Sequence, residues 1–237
     1  MSNMKLSIKE KEYNYTLNRK NVKKINISIK YNKEIVVSSS EETPIEYIEN
    51  LLIKKSSWID KKISFFEKNK TNNKKKYVSG EDFLYLGKHY RLKVEKGISD
   101  VHLIKNNIII NVEEKADYEL KDQLIDLWYK ENAKVVLNKL FMKTCDTSKK
   151  YDLFTPTLII RSMKSRWGTY NIQKNRMTLN LELIKAPKDC IEYVIVHELV
   201  HQKYKNHNKD FYDLLSMIVP DWERRKKMLD EEIQKYL

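Results

Sequence analysis

Three histidines and a glutamate lie close together in the last fifth of the chain, and no other feature restricts its fold so strongly. The sequence is HELVH over residues 197–201, and His207 follows after five more residues. On an α-helix, residues four apart project from one face about one turn from each other. His197 and His201 can therefore direct imidazole nitrogens at one metal ion, and the spacing predicts a helix here.

Glu198, beside the first of these histidines, indicates the chemistry. Zinc binds histidine nitrogen at about 2.0–2.1 Å, and a catalytic zinc site keeps one position open for water. In the HExxH arrangement the glutamate reaches that water rather than the metal. Glu198 would take the water's proton as it attacks a carbonyl and would deliver it to the leaving amine. The pattern predicts a zinc-dependent hydrolase.

A third protein ligand is needed, and His207 is favoured. It follows the motif with the gap seen in H-E-x-x-H-x-x-G-x-x-H, where a glycine lets the chain turn back. Tyr204 holds the glycine position here. Asn206, a residue type that tolerates left-handed geometry, offers another place for the turn. A later carboxylate is the alternative third ligand, and the candidates are Asp210 and Glu223.

Composition places the chain among soluble globular proteins. Of its 237 residues, 41% are hydrophobic and 33% charged, a balance that excludes a disordered chain. No apolar run is long enough to span a membrane, and the N-terminus lacks the apolar stretch of a secretory signal. Cys145 and Cys190 are far apart and match no metal or redox spacing, which favours a reducing compartment. We therefore expect a cytoplasmic protein.

The charge is uneven. The formal net charge is +13, and residues 1–40 hold nine Lys/Arg against three acids. A basic N-terminal lobe suits nucleic acid or an acidic protein as partner. The alternative is a solvated lysine-rich surface, which the scarcity of interleaved aromatic residues favours.

Periodicity divides the chain into two parts. Residues 1–115 are predicted to form a β-rich N-terminal lobe with helices near 44–66, a cationic loop at 68–76, and a second group of strands between Gly80 and Val112. Residues 116–237 are predicted to form the catalytic domain, and no internal repeat is visible. Its predicted helices cover about 117–145, 188–205, 208–219 and 221 onward, with strands at 157–160 and around a turn at 174–175.

Several segments resemble the YgjP-like metallopeptidase family, a relative of the SprT-like and WLM zincins. The likeness covers about residues 155–229 and extends more loosely upstream. It is carried by IRSMKSRWGT (160–169), LNL (179–181), AP (186–187), YVIVHELVH (193–201), NHNKDF (206–211) and PDW (220–222). The resemblance implies an α+β fold, a minimal zincin-like domain whose active-site helix packs on a small mixed sheet. It also implies His197, His201 and His207 as metal ligands and Glu198 as the catalytic acid.

Four residues are candidates for the substrate side of the site. The family's usual Trp-Gly-Ser-Cys corresponds here to Trp167-Gly168-Thr169-Tyr170, so no cysteine acts at 170. Gly168 would let a substrate backbone approach a strand edge. Arg166 would bind a substrate carbonyl or carboxylate, or instead pair with an acid. Tyr170 would donate to the substrate, or instead pack against the sheet.

The leading hypothesis is a zinc metallopeptidase that cleaves a protein or peptide. A zinc-dependent hydrolase of a non-peptide bond is the second, because the site indicates metal-assisted hydrolysis more strongly than any particular bond. A DNA-associated protease of the SprT-like type is the third, and it depends on the basic N-terminal lobe.

Overall fold

The protein has an α+β fold, as predicted, and its contacts divide it into two compact units, residues 1–73 and 74–237. No helix of the described part is both long and apolar enough to cross a bilayer. The computed structural model describes residues 2–8, 11–22, 25–29, 33–68 and 75–233.

The first unit is a small sheet with two helices. Its apolar residues alternate along the strands and bury one face, where Tyr15, Val37, Ile48, Leu52 and Ile59 form the core. The sheet order is β1-β2-β4-β3, and only the central pair β2–β4 is parallel. Most of the predicted cationic loop falls on 69–74, outside the described residues. The elements are β1 (Ser2–Ile8), β2 (Lys11–Arg19), β3 (Asn26–Ile29), β4 (Ile35–Ser39), α1 (Ile45–Lys54) and α2 (Ser56–Lys68).

The second unit opens with a sheet of the same connectivity. Its order is β5-β6-β8-β7, with a parallel central pair flanked by antiparallel neighbours. The strand plan therefore occurs twice in the chain, although the sequence shows no repeat. The strands are β5 (Asp82–Tyr85), β6 (Lys88–Lys96), β7 (Asp100–Ile104) and β8 (Asn107–Val112).

The boundary between the units differs from the one that the sequence predicts after residue 115. The sheet of β5–β8 belongs with the catalytic residues, because its buried Leu92 and Ile110 share one core with Leu137 and Ile195. The long helix α3 (Tyr118–Ser148) covers this sheet, and its Tyr129 hydroxyl donates 2.8 Å to the carbonyl of Leu84. Strand periodicity alone cannot show which helix covers a sheet.

The remaining elements surround the predicted metal ligands. A small mixed sheet has the order β10-β11-β9, in which β10 pairs antiparallel and β9 parallel with β11. Within the described residues, β10 has no second strand neighbour and is an edge. These elements are β9 (Thr157–Arg161), β10 (Gly168–Asn171), β11 (Arg176–Asn180), a 3₁₀ segment (Leu181–Lys185), α4 (Lys188–Val200), α5 (Lys209–Ile218) and α6 (Trp222–Met228).

Candidate metal centre and cleft

Helix α4 positions two of the histidines and the glutamate. Ile191, Ile195 and Leu199 are fully buried and anchor the helix in the core. His197 and His201 project from the side that remains, with ring centroids 5.2 Å apart. The apolar run thus fixes the direction in which both imidazoles point.

The chain turns back after α4 without a left-handed residue. The helix ends at Val200, five residues before its predicted end, and Tyr204 N–H donates 3.1 Å to the Val200 carbonyl. Asn208 N–H then donates 2.9 Å to the carbonyl of Asn206, which closes a γ-turn around His207. The expected left-handed turn at Asn206 is wrong, because φ at 206 is not positive. The γ-turn thus lets the chain turn back without the glycine of the H-E-x-x-H-x-x-G-x-x-H pattern.

The turn brings the three histidines together. Nε2 of His207 lies 3.0 Å from Nε2 of His197, and the three candidate ligand atoms lie within 4.8 Å of one another. Nδ1 of His201 lies 2.9 Å from the Tyr204 carbonyl. A carbonyl only accepts, so Nδ1 donates and Nε2 of His201 keeps its lone pair. The hydrogen bond therefore selects the tautomer that binds metal.

This donor set fits a divalent metal ion. An ion at about 2.0–2.1 Å in tetrahedral geometry separates two ligand nitrogens by about 3.3 Å, close to the observed 3.0 Å. Burial, together with the nearby His201, His207 and Lys226, lowers the pKa of His197 to about 3. Burial likewise lowers the pKa of His207. Both imidazoles are therefore neutral at physiological pH, which is the form that binds metal.

Neither carboxylate considered as the third ligand joins this cluster. Among the described residues, the group that could hold an ion consists of the three histidines. Asp210 is exposed and accepts 3.4 Å from Nδ2 of Asn208, and Glu223 is exposed on α6. The geometry therefore favours His207 over both.

A buried phenylalanine supports all three imidazoles. Phe211 is fully buried, and its ring centroid lies 5.0 Å from His197, 4.9 Å from His201 and 4.6 Å from His207. Helix α5 delivers it, since Oδ1 of Asn208 caps that helix by accepting from Phe211 N–H at 3.1 Å. The spacing of the motif does not predict this contact. The signal is an Asn cap followed three residues later by an aromatic residue.

Glu198 is buried at the floor of the cleft. Its exposed fraction is 6%. Burial raises the pKa of its carboxyl to about 8, against the opposing effect of the Arg166 guanidinium. A Cβ at Gly168 would lie 2.8 Å from Cγ and 2.9 Å from Oε1 of Glu198. Any side chain at 168 would therefore displace the carboxyl group, and glycine lets the strand lie directly against it.

The cleft joins the histidines to the edge strand. Its volume is about 600 Å³. Three of the four predicted substrate-side residues, Arg166, Gly168 and Tyr170, line it. Trp167 does not, and its side chain packs against the core instead. The Tyr170 hydroxyl donates 2.7 Å to Oδ1 of Asn175. The lining residues are Arg166, Gly168, Thr169, Tyr170, Asn171, Ile172, Gln173, His197, Glu198, His201, Lys205 and His207.

A buried asparagine holds the segment that leads into the edge strand. Asn180 is fully buried at the end of β11. Its Nδ2 donates 2.8 Å to the carbonyls of Met163 and Arg166, and its Oδ1 accepts 3.2 Å from Met163 N–H. Its backbone N–H donates 2.8 Å to the Trp167 carbonyl. Sequence reasoning assigned Asn180 no role, although an asparagine that ends an apolar strand is a usable signal.

The fold therefore presents two histidines and a glutamate from α4 and its C-terminal cap, with a third histidine beyond the turn. The chain belongs to the YgjP-like metallopeptidase family, whose metallopeptidase domain matches residues 23–232. No curated protein matches it.

One solved structure with local likeness is the crystal structure of the metallopeptidase zymogen of Methanocaldococcus jannaschii jannalysin. It is 20% identical, covers 41% of this chain and 86% of that chain, and has a TM-score of 0.31.

Proposed function

We propose that this protein is a zinc-dependent peptidase in which His197, His201 and His207 hold the ion and Glu198 is the acid–base residue. The observation that carries the proposal is the convergence of three imidazoles beside a buried carboxyl group. Three histidine nitrogens with open space beside them are the ligand set of a catalytic zinc site. When bound, zinc supplies Lewis acidity, which activates water and polarises a carbonyl.

Glu198 moves the proton in this proposal. As a carboxylate it accepts a proton from the attacking water, and as a carboxylic acid it donates that proton to the leaving amine nitrogen. Burial raises the pKa of its carboxyl to about 8. Near neutral pH the group can therefore both accept and donate a proton. The peptide bond breaks and a carboxyl group and an amine form, so one water is consumed.

The edge strand orients the substrate. Because β10 is an edge within the described residues, its outward N–H and C=O groups can pair with an extended peptide. Gly168 places this strand against Glu198. A peptide aligned along Gly168–Asn171 therefore has its backbone held beside the acid–base group. Tyr170 lines the same wall, and its hydroxyl would donate to a substrate only after releasing Oδ1 of Asn175.

The test is hydrolysis by the zinc-loaded protein of a mixed peptide library, with Glu198→Gln as the matched variant. We expect the substitution to reduce kcat/KM by about 10²–10⁴-fold, while zinc content and melting temperature stay unchanged. Full activity in the variant would refute the role of Glu198. A parallel screen of amide and phosphoester compounds decides whether a non-peptide bond is the better substrate.

A further inference from the structure

The walls of the cleft carry an unbalanced charge. Two of the lining residues, Arg166 and Lys205, are cations, and the others on the strand side are neutral. Glu198 is the one carboxylate of the lining within the described chain, and it is 6% exposed. A ligand that enters the cleft therefore meets positive charge and almost no exposed negative charge.

These cations have no carboxylate partner within 4.0 Å in the part of the chain that the structure describes. Other cations of the same unit show the contrast: Lys203 lies 3.5 Å from Asp152, and Arg224 lies 2.6 Å from Asp221. Arg166 and Lys205 are both exposed. Each can therefore bind a carboxylate without first breaking an ion pair.

Both cations lie near the reacting groups rather than at a remote rim. The Arg166 guanidinium is close enough to Glu198 to lower the pKa of that carboxyl, against the effect of burial, which raises it. Lys205 lies between His201 and His207 in the chain, on the turn that brings the third histidine into place. A third exposed cation, Lys226 on α6, acts electrostatically on His197 and His207. Two cations thus lie in the same cleft as the groups proposed to react.

We infer that the cleft selects peptides that carry a carboxylate close to the scissile bond, and that Arg166 and Lys205 recognise it. The inference rests on the proposed function and names the substrate class of the same site. Both an acidic side chain and a free C-terminal carboxylate supply this chemistry. An exposed ion pair contributes a factor of about 2–5, so the two cations together give roughly a tenfold preference.

The experiment compares matched peptides that carry Glu, Gln or Lys beside the scissile bond, each with a free or an amidated C-terminus. We expect the wild-type protein to show a kcat/KM ratio of roughly ten for Glu over Lys peptides. Lys205→Glu and Arg166→Gln should each lower this ratio, and the charge reversal should lower it most. Lys203→Glu is the matched control, since Lys203 lies outside the cleft lining, and it should leave the ratio unchanged.

The two peptide ends separate the sources of the carboxylate. A kcat/KM that is higher for free than for amidated peptides, whatever the residue beside the scissile bond, assigns recognition to the C-terminal carboxylate. A Glu-over-Lys ratio that persists on amidation assigns it to the acidic side chain, and either result supports the inference. An unchanged ratio in Lys205→Glu and Arg166→Gln would overturn it. Preferential binding of a DNA duplex over acidic peptides, lost in the same variants, would also overturn it and assign the cations to phosphate.

A binding measurement keeps the inference separable from the proposed function. Fluorescence anisotropy of labelled Glu and Lys peptides on Glu198→Gln protein requires no turnover. A preference for the Glu peptide that weakens in the Lys205→Glu background supports the inference even if no peptide is cleaved. Equal dissociation constants for the Glu and Lys peptides, together with no weakening of binding on C-terminal amidation, would refute it even if the wild-type protein proves to be a peptidase.

Discussion

The cleft has two walls that are organised differently. The helix wall, formed by α4, the following turn and α5, holds its histidines against the buried ring of Phe211. The strand wall, residues 163–173, is more exposed and is tied down by hydrogen bonds to Asn180. Packing thus positions the groups proposed to bind metal and transfer the proton, and hydrogen bonds from the Asn180 side chain position the groups proposed to face the substrate. Substitutions in the helix wall should therefore reduce zinc binding, and substitutions in the strand wall should weaken substrate binding.

The largest effect is expected on the helix wall. His207→Ala should lose most of its zinc, with a weakening greater than the roughly 10–100-fold typical of residues that only orient a ligand. The reason is that one of three converging nitrogens disappears. Zinc content and chelator competition measure this. Asp210→Asn and Glu223→Gln are the controls. Zinc loss in either of them, with full zinc retention in His207→Ala, would show that the third ligand is that carboxylate and not His207.

A substitution where the two walls meet should come next. Gly168→Ala places a Cβ 2.8 Å from Cγ of Glu198 and 3.0 Å from Cγ1 of Val194. The carboxyl group must shift, and a displacement of about 1 Å reduces kcat/KM by about 10²-fold. Steady-state kinetics with zinc analysis test this. Gly97→Ala is the control, because its nearest contact would be an ordinary 3.6 Å. Equal activity of the two variants would show that Glu198 tolerates the methyl group.

Asn180→Ala tests the strand wall alone. It removes the donor of two part-buried hydrogen bonds to the carbonyls of Met163 and Arg166, which costs about 1–3 kcal/mol of folding free energy. We expect KM to rise by roughly tenfold, equivalent to about 1.4 kcal/mol, while zinc content stays unchanged. Denaturation and kinetics measure the two effects. Asn138→Ala, which removes an exposed bond within α3, is the control. Zinc loss in Asn180→Ala would show that the walls are not independent.

The smallest effect should be seen on the thiols behind the helix wall. Burial raises the pKa of Cys145 to about 11 and that of Cys190, on α4, to about 12. At pH 8, well below both values, the reactive thiolate is scarce. A disulfide reagent should therefore label neither thiol in the folded protein and both after unfolding. Rapid labelling of Cys190 in the folded protein would mean that α4 opens readily.

The success of sequence reasoning follows the same division between the walls. Local spacing predicted that His197 and His201 share a helix face, and the structure places them there. The turn at Asn206 was predicted with the wrong backbone geometry, because a γ-turn leaves no compositional signal. Trp167 was predicted to line the cleft together with Arg166 and Gly168. Those two residues do line it, whereas the Trp167 side chain packs against the core.

The sequence by itself determined the chemical groups and their local order: two histidines one helical turn apart, a glutamate between them and a third histidine after a short turn. Only the tertiary structure decided how these groups are surrounded. Burial of Glu198, support by Phe211, anchoring by Asn180 and the union of the β5–β8 sheet with the catalytic core all depend on contacts between separate elements. Helical and strand periodicities describe one element at a time, so they cannot specify contacts between elements.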